Sequence, residues 1–290
     1  MEYVLHIVIM VNIYIVLVLS ANLPIGMANL LTLGQAAFYG IGAYISAYFL
    51  MQFNLPFLVV ALAVMILTGL FSYMVSFASI KLKGDYFVLA TLGFQMIVYT
   101  ILYNWTSVTR GPYGIPGIPA VKLAGKWDVS GIYGYFFLTI AIVFAVSYLF
   151  KAVKFSPYGR VLRAMRNDEL SVAAMGRNPV SFKSWAFFLS AAFSGLAGLI
   201  YASYISYIDP TSFTLDESIF IISALFIGGT GNIRGPILGA LFVVVLPELL
   251  RFVGLPDAIA ANMRQIIYGL ALIIVMYYRP QGLWGETEMK

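Results

Sequence analysis

Nine apolar runs leave the chain little choice of environment: residues 3–21, 29–51, 57–80, 85–104, 132–150, 184–206, 215–228, 236–253 and 264–279. Most have the roughly 20 residues that a helix needs to cross a bilayer core. Backbone polar groups in hydrocarbon must be satisfied internally, which runs of this length achieve as helices. Charged residues make up only 10% of the chain, against about 25% in a soluble domain. Mean hydropathy is +0.92. The expected fold is an all-α polytopic transmembrane helical bundle, a single transmembrane domain over residues 1–290, with about 8–10 spans.

Several chemistries are excluded early. There is no cysteine, hence no disulfide, thiolate metal site or Cys nucleophile. The one histidine, His6, cannot build a His-rich metal cluster and reads as an interfacial residue. Neither a metal nor a cofactor is expected. The first eighty residues contain no Lys or Arg. The start therefore lacks the basic n-region of a signal peptide and reads as a first span. A sequence pI near 9.2 does not indicate nucleic-acid binding, because no soluble domain exists to carry a binding face.

The polar exception is residues 151–183. This stretch holds Lys151, Lys154, Arg160, Arg163, Arg166, Arg177 and Lys183 but only Asp168 and Glu169 as acids. Its balance of +5 equals the net charge of the whole chain. The pattern predicts one helix with both ends marked. Ser156 suits the N-cap and Pro157 the first helical position. Gly176 suits the C-terminal stop, with Asn178-Pro179 just beyond. At about 100° per residue, Arg160, Arg163 and Arg166 share one face. Val161, Met165 and Val172 share another. Such a two-faced helix is expected either to anchor orientation by charge or to dock a second protein.

The positive-inside rule chooses the orientation. If 151–183 is cytoplasmic, so are Lys81, Lys83, Arg234, Arg279 and Lys290, giving twelve basic residues inside. Five lie outside: Arg110, Lys122, Lys126, Arg251 and Arg264. The N-terminus is then external and the C-terminus cytoplasmic. The external loop 105–131 carries Gly111-Pro112, Gly114, Pro116-Gly117 and Pro119, which favour turns. A connection this long is often functional, here as a gate of the external mouth or a contact for a soluble partner.

Two glycine-rich stretches remain, 33–44 and 228–240. Close helix packing explains the first. In the second, Gly228, Gly229, Gly231, Asn232, Gly235 and Gly239 do not suit a plain lipid-facing helix. That stretch is a tight cytoplasmic turn or a broken helix on a pathway. Segment 215–228 before it is too short to cross comfortably; if 215–228 and 236–253 form a re-entrant pair or one broken helix, the span count changes to about eight or ten.

LTLGQAAFYGIGAY, GRVLRAMRNDELSVAAMG, LSAAFSGLAGLIYA, GGTGNIRGPILGA with LPELLR after it, and the closing RPQGLWG occur here in order. Together they resemble the inner-membrane permease of branched-chain amino acid ABC importers, the LivM-type subunit more than the LivH-type. The resemblance covers about residues 22 to 285. One departure is Tyr113-Gly114-Ile115-Pro116-Gly117, richer in Pro than the family's run. The resemblance implies a second homologous permease subunit, two cytoplasmic ABC ATPase subunits and an extracytoplasmic substrate-binding protein, assembled in membrane lipid. It implies translocation of Leu, Ile or Val across the plasma membrane, driven by ATP hydrolysis on the ATPases; related permeases carry urea or short amides. It places residues 157–176 at the ATPase contact, with Gly159, Arg160, Arg163, Met165, Arg166, Asp168, Glu169 and Gly176 as coupling residues.

This chain has no G-x-x-x-x-G-K-[ST] phosphate loop and is not expected to be an enzyme. An ion-coupled secondary transporter needs ionisable groups at mid-membrane, and neither Asp85 nor Glu248 falls centrally in the runs above. Glu248 is expected to be neutralised by Arg251, three residues on. A membrane enzyme needs converging catalytic groups. Asp168-Glu169 and Asp216-Glu217 are adjacent pairs that point to different helix faces.

Overall fold

The computed structural model describes residues 1–53, 55–79, 82, 84–123, 127–129, 131–252, 257–279 and 281–285. Lys81, Lys83, Ala124, Lys126 and Lys290 lie outside the described residues, as do the side chains of Arg251 and Arg264.

The apolar runs are helices. In chain order they are α1 (Glu2–Asn22), α2 (Gln35–Phe53), α3 (Phe57–Ser79), α4 (Asp85–Asn104) and the short α5 (Thr106–Thr109). After them come α6 (Ile132–Phe155), α7 (Pro157–Asn167), α8 (Glu169–Ala174) and α9 (Pro179–Ile205). The last three are α10 (Leu215–Gly228), α11 (Arg234–Phe252) and α12 (Asp257–Tyr278). Among the described residues, five helices are long and apolar enough to cross a membrane: 2–27, 57–76, 85–104, 132–155 and 179–205. The protein is an all-α, multi-pass membrane protein.

Helix α9 is the axis of the bundle. Between Lys183 and Ser203 most of its side chains are buried, and it packs on α1, α2 and α3. Small residues permit the approach to α2. A Cβ on Gly42 would sit 2.3 Å from the Cα of Gly195, so the two backbones touch. The glycine-rich stretch 33–44 is therefore a packing surface against the LSAAFSGLAGLIYA helix.

Two elements depart from plain spans. Pro24 has no N–H for the carbonyl of Ser20, which takes the N–H of Leu23 instead. The chain then widens into a π-turn, Leu23–Met27, as expected where a helical bond is missing. The run 29–51 is not one helix: residues 29–34 are non-helical, Asn29 has φ +53°, and α2 starts only at Gln35. Side chains satisfy this stretch. Leu33 N–H donates to Thr91 Oγ1 at 3.0 Å and Gly34 N–H to Thr32 Oγ1 at 3.2 Å.

Helix α10 also begins inside the bundle. Gln95 lies ten residues into α4, about 15 Å along it. Its Nε2 donates to the Phe213 carbonyl at 2.8 Å, and Ser218 Oγ accepts the Ala36 N–H at 2.9 Å. The starts of α2 and α10 therefore meet in the interior. With 14 residues, α10 is about 21 Å long and reaches one end only. The chain then continues through the glycine turn into α11, which runs back to the end where Glu248 accepts from Tyr3, so 215–253 is a short half-helix followed by a longer one.

The bundle has two distinct ends. At one, β1 (Ile115–Pro116) of the long connection pairs antiparallel with β4 (Tyr207–Ile208), and β2 (Lys122–Leu123) pairs with β3 (Trp127–Asp128). His6 on α1 meets Tyr204 on α9 there, Nδ1 to Oη 2.6 Å. Glu248 accepts from Tyr3 at the same end. The basic segment, the π-turn, the glycine turn and residues 281–285 gather at the opposite end.

Candidate functional site

The basic segment starts as its sequence predicts. Ser156 Oγ accepts the Gly159 N–H at 3.1 Å, with Pro157 in the first turn. It ends as predicted too: Gly176 has φ +76° and Arg177 N–H returns to the Val172 carbonyl at 3.3 Å, the left-handed close that glycine favours. Between these ends the single helix is corrected to two. Asp168 is extended, at φ −154° and ψ 107°. Its Oδ1 accepts the N–H groups of Leu170, at 2.9 Å, and Ser171. Asp168 thus caps a second helix, α8, instead of continuing the first. Hydrogen bonds from the Ser171 side chain and from the Ser171 and Leu170 N–H groups hold its carboxyl below the usual carboxylate range. Glu169 turns the other way, to Lys183 on α9.

The predicted apolar face is not free. Met165 and Val172 are 5% and 2% exposed and Val161 is half-buried, while Leu162, which the predicted face left out, is fully buried; they are covered by this chain where α7 and α8 pack on α6, α9 and the π-turn. The expectation that Met165 presents itself to a second protein is corrected on that ground. Tyr158 stacks on Phe182, rings 5.4 Å apart, and donates to the Phe182 carbonyl at 2.8 Å. Gly159 lies so close to α6 that a Cβ would meet the Val153 carbonyl at 2.2 Å. The exposed large apolar side chains between residues 157 and 176 are instead Leu170 (73%) and Met175 (69%), with Phe155 and Val180 exposed at the flanks.

The arginines also turn back onto this chain. Arg160 Nη1 donates to the Phe155 carbonyl at 3.2 Å, and Arg163 Nη2 to the Lys154 carbonyl at 3.3 Å. These carbonyls end α6 and have no helical N–H to receive, so cations suit them. Arg166 Nη1 donates to the Gly26 carbonyl of the π-turn at 2.7 Å. Desolvation lowers the pKa of its guanidinium.

The glycine stretch is a tight turn between α10 and α11. Gly229 and Gly231 have φ +109° and +87°, a conformation costly for any residue with a Cβ. Gly228, Gly235 and Gly239 are pressed together: a Cβ on Gly228 would meet the Gly235 carbonyl at 2.0 Å. Asn232 Oδ1 accepts the Gly235 N–H at 2.8 Å, and its Nδ2 donates to the Trp284 carbonyl. The RPQGLWG run closes on the same turn, with Leu283 N–H to Ile227 O at 3.0 Å and Trp284 N–H to Gly228 O at 2.9 Å. Arg234 lies over the Trp284 ring, 5.6 Å from its centroid.

Sequence reasoning missed three participants. Asn22 bridges α1 to the turn: its Nδ2 donates to the Asn232 carbonyl at 2.7 Å and its Oδ1 accepts the Gly231 N–H at 2.9 Å. An Asn closing the apolar run 3–21, just before Pro24, is the signal that would have found it, since a buried amide needs partners. The π-turn around Gly26 is the second, signalled by Pro24. The third is Glu217, which accepts from Tyr14 Oη at 2.6 Å between α1 and α10. It packs inside the bundle because α10 starts there.

Long apolar helices, two discontinuous elements meeting in the interior and an amphipathic segment folded back on one end define a polytopic transport-type membrane protein. The family of branched-chain amino acid transport system permease components matches residues 3–276, and the chain belongs to it. It is 34% identical to the high-affinity branched-chain amino acid transport system permease protein LivM of Salmonella typhimurium, over 96% of this chain and 69% of that protein. Against LivM of Escherichia coli the identity is also 34%, over 95% and 68%. Against the high-affinity branched-chain amino acid transport system permease protein LivH of Salmonella typhimurium it is 21%, over 96% and 92%. The LivM-type resemblance is thus borne out. No solved structure matches the chain.

Proposed function

We propose that this chain is the LivM-type permease subunit of an ABC importer for Leu, Ile or Val. It pairs with a second, homologous permease and draws its energy from two ATPase subunits on the cytoplasmic side. A soluble binding protein delivers substrate at the other face. The basic segment 151–183 is the ATPase contact, and the end carrying it is cytoplasmic. Arg160, Arg163, Arg166, Met165, Gly159 and the Lys183–Glu169 pair serve it by fixing its position. Leu170 and Met175 meet the partner.

One observation carries this reading: between residues 157 and 176 two large apolar side chains, Leu170 and Met175, stand exposed beyond the apolar bundle, while Leu162, Met165 and Val172 are already buried. Apolar anchors dominate interface energies over exposed ion pairs. The 27-residue connection at the opposite end, including Tyr113 at 86% exposure, is the surface offered to the binding protein.

The native chain contains no cysteine, so single cysteines report sidedness directly. In intact cells a membrane-impermeant maleimide labels Tyr113→Cys and leaves Leu170→Cys unlabelled until the membrane is opened. Labelling of both from outside contradicts the orientation. Purification through this chain retains two ATPase subunits and a second permease, and Leu170→Asp loses the ATPases.

A further inference from the structure

The three arginines hold different things. Arg160 and Arg163 close α7 onto the end of α6. Arg166 reaches the π-turn of α1, at the Gly26 carbonyl, 2.7 Å away. A guanidinium on a carbonyl makes a charge-assisted bond, stronger than a neutral one.

Gly26 in turn touches the glycine turn. A Cβ there would lie 2.0 Å from Asn22 Oδ1 and 2.9 Å from the Gly231 nitrogen. Asn22, fully buried, holds that turn through both ends of its amide. Asn232 then holds Gly235, the second residue of α11. The far end of α10 meets the start of α2 in the interior. A continuous chain of hydrogen bonds and backbone contacts thus runs from the basic segment, through α1, to the α10–α11 pair.

We propose that Arg166 is a positioning residue for transport. It clamps the π-turn so that Asn22 keeps the glycine turn in register with the basic segment. Displacing the segment then moves α10 and α11 with it. Two packed elements joined this way shift together, which is the requirement for passing a change between distant sites. The inference rests on the transport reading above, but its first test does not.

That test is amide exchange on the purified full chain. Arg166→Met keeps the apolar stem and removes the donors. Gly26→Ala leaves the outer surface of the segment untouched and pushes Asn22 away. Both are expected to speed exchange in peptides spanning 226–236 by about tenfold, the scale of one charge-assisted bond. Arg166→Lys restores protection in part, since an ammonium supplies charge without the fork. Unchanged exchange there in both variants overturns the clamp. The second test is the reconstituted complex. Both variants are expected to keep their ATPase subunits and to lose about threefold or more of uptake per ATP hydrolysed. Faster exchange with unchanged uptake per ATP overturns the role in transport. Loss of the ATPase subunits from Arg166→Met, with exchange unchanged, makes Arg166 a partner contact and overturns the proposal. Exchange needs no partner, so a failure of the importer reading is distinguishable from a failure of the clamp.

Discussion

Lys183 Nζ lies 2.7 Å from Glu169 Oε2, and this ion pair ties α8 to the axial helix α9. The two side chains are unequally covered, 9% exposed for the lysine and 36% for the glutamate. Removing the acid therefore strands a nearly buried ammonium, whereas removing the base leaves a carboxylate that water can reach. Glu169→Gln is expected to loosen α8 by about 1–2 kcal/mol and Lys183→Met by less. Trypsin cleavage at exposed Arg177 reads the difference. Faster cleavage in Glu169→Gln than in Lys183→Met is the expected order.

Met165 and Leu170 sit five residues apart and have opposite fates. Met165 is buried against this chain and Leu170 stands 73% exposed. Met165→Asp places a charge among covered side chains and is expected to cost about 3 kcal/mol or more. Leu170→Asp is expected to stay within about 0.5 kcal/mol of the native chain. Thermal unfolding in detergent measures both. Equal Tm values contradict the inward packing of α7.

The glycine turn makes a similar contrast with a glycine elsewhere. A Cβ on Gly235 would lie 2.2 Å from the Gly229 carbonyl, whereas one on Gly93 in α4 meets nothing within 4 Å. Gly235→Ala is expected to lose about 1–3 kcal/mol by forcing α11 off α10. Gly93→Ala is expected to hold or raise Tm, because alanine suits a helix interior better than glycine. A tolerant loop at 229–233 would instead leave Gly235→Ala unchanged.

Periodicity and length made the helices legible. The bounds 85–104 and 215–228 match α4 and α10, because turn residues or a sharp change in polarity mark them. The caps at Ser156 and Gly176 were legible for the same reason: local side-chain chemistry decides them. The break at Asp168 was not, although Asp is a favoured cap, because helical periodicity continues across it. The burial of Met165 and the turn of the arginines onto this chain's own carbonyls were hidden for a different reason. A helical wheel gives the faces of a helix but not which face meets its own chain and which a partner. Asn22, Gly26 and Trp284 lie far apart in sequence from the turn they hold, and only the tertiary fold brings them together.

The central claim is ATP-driven import through this chain, and uptake in proteoliposomes tests it most directly. Complex purified through the chain is reconstituted, with ATP on the face carrying Leu170 and the binding protein with labelled Leu, Ile or Val on the face carrying Tyr113. The account predicts uptake that requires hydrolysable ATP, persists when the proton gradient is collapsed, and is lost in Leu170→Asp together with the ATPase subunits. Uptake that follows a proton gradient and ignores ATP would contradict it.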